Sequence, residues 1–445
     1  MMQYQLRWPA NKNVLFVIPP LTDLYPNSVE DARDVDIIHP PLGILYLSAY
    51  VKKHGYDSII VDNLAKKPMS HNEFQSIIES SKSNIVCISS MSANYGKALE
   101  YAEVAKSNSC IVIMGGPHPS CNYRVVVENP FVDIAIIGEG EIILHELINA
   151  LNKYEPIDSI KGISYWNGFT STFTGRSKRI DHLDDLPLPD YQGIDMNPYL
   201  DLQSLGLITS RGCPNNCAFC SSRSIWGKDT RFRTEKNVIE ELDFFCNQYD
   251  YAGKNLVFYD DNLTLRQDCL FNICNAMIKG KYLFNWKCMS RVDTITIEML
   301  QKMKSAGCYS ISFGVETVND ESLKKIDKRI TIKAVENAIK MCNEVGITFH
   351  GYFMIGFPWE SKQDFMRTVD FIISHPTIEA SLSVLAPYPG TDFYDNQAKW
   401  GIQIEERWDK FNHISSVIKS KSYTAEDIYS AFSTYLFYQE RNKIK

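Results

Sequence analysis

The sequence predicts an α/β protein in tandem parts: an N-terminal doubly wound, Rossmann-like sheet, then a partial (β/α)6 barrel, then a short helical C-terminal region. Three observations carry this. Continuous apolar segments alternate with amphipathic ones along two stretches of the chain, as they do where parallel strands are buried on both faces by helices. Between residues 152 and 204 the alternation gives way to a stretch containing DHLDDLPLPDYQG, rich in Asp and Pro. And 445 residues exceed one ordinary domain.

In the first stretch VLFVIPP reads as a strand, and LGILYLSAYVKKHG as a helix ending at Gly55, because Leu42, Leu45, Tyr46, Ala49 and Tyr50 recur at helical spacing. DSIIVDN and NIVCISS read as the next strands. A helix from about Tyr95 to Ser107 follows, then CIVIMGG, then VDIAIIGEGE leading into a helix through Leu151. Residues 10–151 are expected to form one domain and 152–204 a linker. Ligands of such a sheet bind beyond the carboxyl ends of its strands. Those ends are PPL at 19–21, SSMSAN at 89–94, GGPHPS at 115–120 and GEGE at 138–141. Taken alone, they are equally the tight turns that any such sheet needs.

From 205 the strands are LGLITS, NLVFYD, FNWKCMSR, SISFGVE, TFHGYFMIG and ASLSVLAP, with helices at 234–249, 266–279, 296–306, 332–346 and 362–374. Ser361 followed by Asp364 is a capping-box pattern. Six strands are too few to close an eight-stranded barrel, so 205–395 is expected to form an open one. The Tyr- and Phe-rich residues 396–445 are expected to be a helical extension.

With 44% hydrophobic and 22% charged residues the composition is globular, and a net charge of -7 argues against a broad nucleic-acid footprint. No segment reaches the roughly 20 apolar residues of a membrane span. MMQYQLRWPANKN lacks the apolar core of a signal peptide, so a cytoplasmic location is expected. Of twelve cysteines, several such as Cys87, Cys246 and Cys342 sit among apolar neighbours as ordinary buried thiols. Cys213, Cys217 and Cys220 instead cluster in RGCPNNCAFC, a loop of turn-forming residues directly after the first barrel strand. Four thiolates would close a zinc site or saturate an iron–sulfur cluster; three leave a metal position open for chemistry. A structural zinc would want a fourth ligand, and neither His nor Cys occurs from 221 to 245.

The spacing Cys213-xxx-Cys217-xx-Cys220, with Phe219 before the last cysteine, resembles the signature of the radical S-adenosylmethionine (SAM) superfamily. The resemblance implies a 4Fe-4S cluster on the three thiolates, with SAM on the open iron as a source of a 5′-deoxyadenosyl radical. It further implies that Asp260, Asp261 and Asn262 of FYDDN meet the SAM amino group, Arg291 its carboxylate and Glu316 its ribose. MIGFP, with Gly356, and APYPGT would lie near the adenine. The competing reading of Arg291 and Glu316 is a salt bridge across the barrel mouth.

HPPLGILYLSAYVKKHGYD, GGPHPS, DIAIIGEGE and LDDLPLPDY, followed by the barrel, are similar to the cobalamin-binding class of that superfamily. This implies cobalamin at Ser90, Met91, Gly115, Gly116, His118, Gly138, Glu139 and Gly140. The Asp-x-His-x-x-Gly motif that supplies a lower histidine is missing: His39 is followed by Pro40, Pro41 and Leu42, and Asp62 by Asn63 and Leu64. The class implies methylation of an unactivated carbon, with cyclisation or rearrangement as alternatives. Its partners would be a small-molecule or peptide substrate and an electron donor such as a flavodoxin or ferredoxin. A methylthiotransferase would need a second cysteine trio, for which Cys87, Cys110 and Cys121 are the candidates, two of them in apolar strands. A non-catalytic binding module would be favoured by a broken cysteine loop, and the loop is intact. His350, Tyr352, Trp359 and Tyr388 are on strand ends or loops that could face substrate, although such residues more often pack.

Overall fold

The structure, a computed structural model, describes residues 13–21, 38–65, 67–251, 253–282 and 284–443. The chain divides into two compact units, one of residues 1–205 with 224–226, the other of 206–223 with 227–445.

The first unit is a seven-stranded sheet in the order β2-β1-β3-β4-β5-β6-β7. Its parallel part comprises β1 (Asn13–Ile18), β2 (Asp57–Asp62), β3 (Ile85–Ser89), β4 (Ile111–Gly115) and β5 (Ile134–Ile136). Val14, Phe16 and Ile18 pack with Ile44 and Val51 of the helix Leu42–Lys53 and with Leu147 and Ile148 of the helix Gly140–Lys153. The helix His71–Ser81, which buries Phe74 and Ile78 on one face, starts at a capping box: Ser70 N–H donates to Glu73 at 2.8 Å.

Residues 152–204, expected as a linker, instead complete this unit. β6 (Ile163–Trp166) and β7 (Ser171–Phe173) extend the sheet antiparallel from β5. The hairpin turns at Asn167-Gly168, where the Asn167 carboxamide accepts from Phe169 N–H at 2.9 Å and Thr170 N–H at 3.0 Å. Downstream, Tyr191 and Tyr199 are fully buried, Asp190 accepts from Lys52 at 2.6 Å, and the Tyr199 hydroxyl donates to Asp62 at 2.5 Å. Buried aromatic anchors therefore fasten the Pro-rich stretch to the sheet.

The second unit holds a six-stranded parallel sheet of β8 (Gly206–Leu207), β11 (Asn255–Phe258), β12 (Asn285–Ser290), β13 (Cys308–Glu316), β14 (Thr348–Ile355) and β15 (Glu379–Val384), in the order β15-β14-β13-β12-β11-β8. LGLITS, expected as one strand, breaks after Leu207. Arg233 Nη1 donates to the Ile208 carbonyl at 2.7 Å and the Thr209 side chain turns to Asp260, so the chain leaves β8 and enters β9 (Ser210–Arg211), which pairs antiparallel with β10 (Arg231–Phe232). Arg233 is itself held by a buried 2.5 Å ion pair with Glu241. The five expected helices appear within one or two residues, those at 235, 297, 332 and 362 capped by Thr234, Thr296, Thr331 and Ser361.

The C-terminal region is only partly helical. β16 (Gln403–Ile404) and β17 (Ile418–Lys419) form a small antiparallel pair before the helix Ala425–Lys443, which packs on the helix Lys362–Ser374. Among the described residues no helix is long and apolar enough to cross a membrane.

Candidate active site

Gly212, at φ +100°, turns the chain out of β9 into the cysteine loop, a left-handed conformation that favours glycine. Cys213 and Cys217 are half-buried and Cys220 is exposed. A turn joins Cys220 N–H to the Cys217 carbonyl at 3.0 Å; Asn215 Nδ2 donates to Cys213 Sγ at 3.4 Å, and Ser222 N–H to Cys220 Sγ at 3.5 Å. Two segments grip the loop from outside: Ala218 N–H donates to the Ile326 carbonyl at 2.9 Å, and Phe393 N–H to the Ala218 carbonyl at 3.3 Å. Burial pushes the Cys217 thiol up, opposed by the charges of Lys328 and Arg291. Among the described residues no three His, Cys, Asp or Glu side chains close on a single-ion geometry; a four-iron cube carries its thiolates on separate irons.

The FYDDN residues point three ways. Asp260, 1% exposed, accepts from Thr209 N–H at 3.0 Å, Thr209 Oγ1 at 2.8 Å and Ser210 Oγ at 2.5 Å. It thereby ties β11 to the β8–β9 turn. Asp261 accepts from Ser222 Oγ at 2.6 Å and so steadies the residue beside Cys220. Asn262, 2% exposed, has its carboxamide oxygen among the hydroxyls of Thr264, Ser290 and Thr294, while its Nδ2 has no hydrogen-bond partner.

Arg291 and Glu316 do not bridge each other. Arg291 makes a two-pronged contact with Asp293, at 2.9 and 2.8 Å, and donates to the Lys328 carbonyl at 2.7 Å. Glu316 pairs with Lys328 at 2.6 Å, both side chains buried. Lys328 Nζ also lies 5.7 Å from the centroid of the Phe219 ring, inside the cysteine loop. Sequence reasoning missed Lys328. Its position depends on left-handed backbone at both neighbours, Asp327 at φ 54° and Arg329 at φ 59°, which no local residue pattern announces. Gly356, at φ +94°, turns the chain after β14, and its carbonyl accepts from the buried Tyr423 hydroxyl at 2.7 Å.

Of the residues offered for substrate, His350 stands near the amino end of β14, paired with Ser381 at 2.8 Å and Glu379 at 3.3 Å, away from the cysteine loop. Its ring lies 5.1 Å from that of Tyr352. The Trp359 indole is spent on Ser322 and on stacking with Phe357 and Phe393. Tyr388, at the carboxyl end, contacts His413 at 3.1 Å.

In the first unit the carboxyl-end loops are cross-linked. Ser90 N–H donates to the Gly115 carbonyl at 2.8 Å, His118 N–H to the Ser90 carbonyl at 3.1 Å, and Gly138 N–H to Ser120 Oγ at 3.0 Å. Gly116, at φ +101°, is required by the Ser90 backbone, whose carbonyl oxygen would lie 2.9 Å from a Cβ there. His118 lies inside this edge. It is 1% exposed, meets Ser92 Oγ at 2.9 Å and lies 4.3 Å from the Tyr95 ring, and burial pushes its pKa down to about 3. Ser90 is fully buried. Both brace the edge from within, whereas Met91 is exposed and Gly115, Gly138, Glu139 and Gly140 are partly so. Glu139 also accepts from Ile180 N–H at 3.1 Å. Cys87 and Cys110 are buried and Cys121 is on the helix Pro117–Glu128, so the three are not gathered in one loop as a second cluster would need.

The Radical SAM superfamily model matches residues 207–372, and the B12 binding domain model residues 32–148. An uncharacterized methyltransferase of Pyrococcus horikoshii is 31% identical over 420 residues, covering 93% of this chain and 89% of that protein. The chain belongs to the cobalamin-binding radical SAM enzyme family. Within this family's range, the anaerobic magnesium-protoporphyrin IX monomethyl ester cyclase of Rubrivivax gelatinosus is 24% identical, covering 89% of this chain and 73% of that protein. The radical SAM methyltransferase TsrM from Kitasatospora setae, solved with cobalamin and a 4Fe-4S cluster bound, shares the fold at a TM-score of 0.73 and 16% identity, over 88% of this chain and 77% of that one.

As a cobalamin-binding radical SAM enzyme the protein uses a 4Fe-4S cluster, SAM and cobalamin, and its residues fit those groups. The donor set is three soft thiols in one loop with two cations beside them. At the barrel's carboxyl end a buried amide donor waits without a partner. On the first sheet, three adjacent loop ends share one carboxyl edge with Met91 exposed.

Proposed function

We propose that the protein transfers a methyl group to an unactivated carbon of a small-molecule or peptide substrate. The observation that supports this most is the joined arrangement of cysteine loop, Arg291, Lys328 and Glu316 at the carboxyl end of the open barrel, in a chain that also carries a B12 binding domain. When bound, the cofactors supply a deoxyadenosyl radical for hydrogen abstraction and a methyl group for the carbon radical that results.

The chain's own work is holding and orienting. Cys213, Cys217 and Cys220 hold iron. Arg291 and Lys328 keep positive charge next to Cys217, which favours its thiolate. Glu316 orients Lys328, and with Asn262 and the Gly356 turn it lines the end of the barrel that would take SAM. Met91, Gly115, Gly116, Gly138, Glu139 and Gly140 would meet cobalamin. A one-electron carrier such as a flavodoxin or ferredoxin is the proposed reductant. Nucleic acid is not a proposed partner, given the net charge of -7. We place the protein in the cytoplasm, where a reducing compartment would keep the Cys213, Cys217 and Cys220 thiols available for iron.

A second reading, cyclisation, is favoured by the resemblance to the magnesium-protoporphyrin ester cyclase. The test is anaerobic incubation of the reconstituted protein with reductant, trideuteromethyl-SAM and a substrate extract. A product heavier by one CD3 group is expected. A product that loses hydrogen and gains no label would replace methylation with cyclisation.

A further inference from the structure

We infer that an acidic one-electron carrier docks at the cavity of Lys325, Trp359 and Arg367 and passes its electron to the cluster by way of the cysteine loop. The inference deepens the proposed function and rests on its reading that such a carrier is the reductant.

The cavity, of about 540 Å3, lies at the carboxyl end of the barrel, between the segment that follows β13 and the segment that follows β14. Asn319, Lys325, Trp359 and Arg367 line it. Lys325 is exposed and, among the described residues, ends in no ion pair; its Nζ stands 5.0 Å from the centroid of the Trp359 ring. Arg367, also exposed, gives Nη1 to Asp364 at 3.0 Å and keeps its other N–H groups outward. Two of the three carboxylates in the wall are occupied: Asp364 accepts from Ser361 N–H at 2.9 Å and Asp320 from Ile332 N–H at 2.9 Å, which leaves Glu321. An ammonium over an indole with a guanidinium across from it suits a partner surface that carries carboxylates. A chain of net charge -7 repels such a partner as a whole, so a local cationic patch selects where it approaches.

The cavity is also tied to the cysteine loop from both of its walls. Ile326, directly after Lys325, gives its carbonyl to Ala218 N–H at 2.9 Å, and Ala218 directly follows Cys217. On the other wall the Trp359 ring stacks on Phe393, 6.0 Å between centroids, and Phe393 N–H donates to the Ala218 carbonyl at 3.3 Å. Both paths end on one residue of the loop. A further exposed cation, Arg329, is near enough to Cys217 for their charges to interact. A carrier seated on these walls therefore reaches the cluster's ligands through two short hydrogen-bonded paths. The step moves one electron: the carrier is oxidised by one, the cluster is reduced by one, and no atom or proton is transferred.

The full-length, cluster-reconstituted protein would be tested anaerobically with a reduced flavodoxin of acidic surface and, separately, with dithionite, which needs no docking surface. Biolayer interferometry reads flavodoxin binding, and release of 5′-deoxyadenosine reads SAM cleavage with each reductant. Lys325→Glu combined with Arg367→Glu should weaken flavodoxin binding about tenfold at low salt, a difference that shrinks near about 0.5 M salt, and should slow flavodoxin-driven cleavage by a similar factor. Cleavage driven by dithionite should keep the wild-type rate. Lys279→Glu, in the last turn of the helix Gln267–Gly280 and so at the amino end of the strands, should change neither reading. If the double variant fails to hold its cluster, Lys325→Gln decides by the same comparison, with a smaller loss. Flavodoxin binding equal to wild type overturns the inference and leaves the carrier reading standing. A loss with dithionite as large as with flavodoxin also overturns it, since the two cations would then support the cluster. Wild-type protein that accepts electrons from dithionite but neither binds flavodoxin nor is reduced by it removes the carrier reading itself, and this inference with it.

Discussion

Glu316 has φ +71°, left-handed backbone that a residue with a Cβ adopts at a cost, and it sits where β13 slips register against β14. What holds it there is the buried pair with Lys328, and Gly314 makes room for that pair: a Cβ at 314 would strike both Glu316 Oε1 and Lys328 Nζ. Gly314→Ala should therefore force apart two buried charges and lower stability by about 3 kcal/mol. Urea unfolding reads this; an unchanged midpoint would mean the pair can move aside. Next to Glu316, Thr317 Oγ1 donates at 2.9 Å to Glu360, which is 1% exposed and whose second carboxylate oxygen has no partner. Burial raises the Glu360 pKa from 4.5 to about 7. A raised carboxyl pKa means stability that is complete below 4.5 and is lost as pH rises through 7. Glu360→Gln keeps the acceptor for Thr317 and removes the charge, so it should stabilise the protein by on the order of 2 kcal/mol at pH 8 and very little at pH 4.5. Parallel pH profiles for variant and wild type would refute this.

At the scale of elements, two braces set where the loops stand. Asp260 gathers donors from Thr209 and Ser210 and so fixes the turn from β8 into β9, from which the cysteine loop departs. Asp260→Ala leaves those donors buried and unpaired, for a loss of about 3 kcal/mol, and iron content after reconstitution should fall with it. Its aliphatic replacement retaining full iron would show that the loop stands without the brace. In the other unit His118 couples the loop after β3 to the loop after β4. Its lowered pKa gives stability that is present above pH 6.5 and lost as pH falls from there towards 3, about 2 kcal/mol of it by pH 5. His118→Asn should flatten that acid limb in calorimetry. These braces mark the border of what is legible in the sequence. Strands such as VLFVI and CIVIMGG read clearly because both faces are buried and nothing polar interrupts them. β6 and β7 escaped because their short segments are half exposed, and the Asn167-Gly168 turn that announces them is easily lost in a Pro-rich stretch. The three cysteines were legible because their spacing alone carries the chemistry. Lys328 was not, because it comes to Glu316 through a loop of left-handed residues, and the bracing role of Asp260 was not, because a strand-end carboxylate looks the same in sequence whether it meets a ligand or its own backbone.

At the scale of the whole molecule, each unit presents the carboxyl ends of a parallel sheet, and the two differ in what those ends offer. In the barrel they offer thiols, cations and an unpaired amide. In the first unit they offer backbone and small residues, with the histidine of GGPHPS turned inward and held neutral by burial. We propose that a cofactor bound there would be gripped by shape and by backbone groups rather than by a side-chain ligand to its metal. Hydroxocobalamin should accordingly slow amide exchange at 89–94, 115–120 and 138–141 more than elsewhere in that unit. His118 cannot swing out to cobalt without abandoning Ser92 and Tyr95, and the sequence has no Asp-x-His-x-x-Gly to supply another histidine. The electron paramagnetic resonance spectrum of the bound cobalt(II) form should therefore show no nitrogen superhyperfine splitting from the lower face. A nitrogen triplet that disappears in His118→Asn would prove that the buried histidine does leave its pocket, and with it that the loop ends rearrange when cobalamin enters.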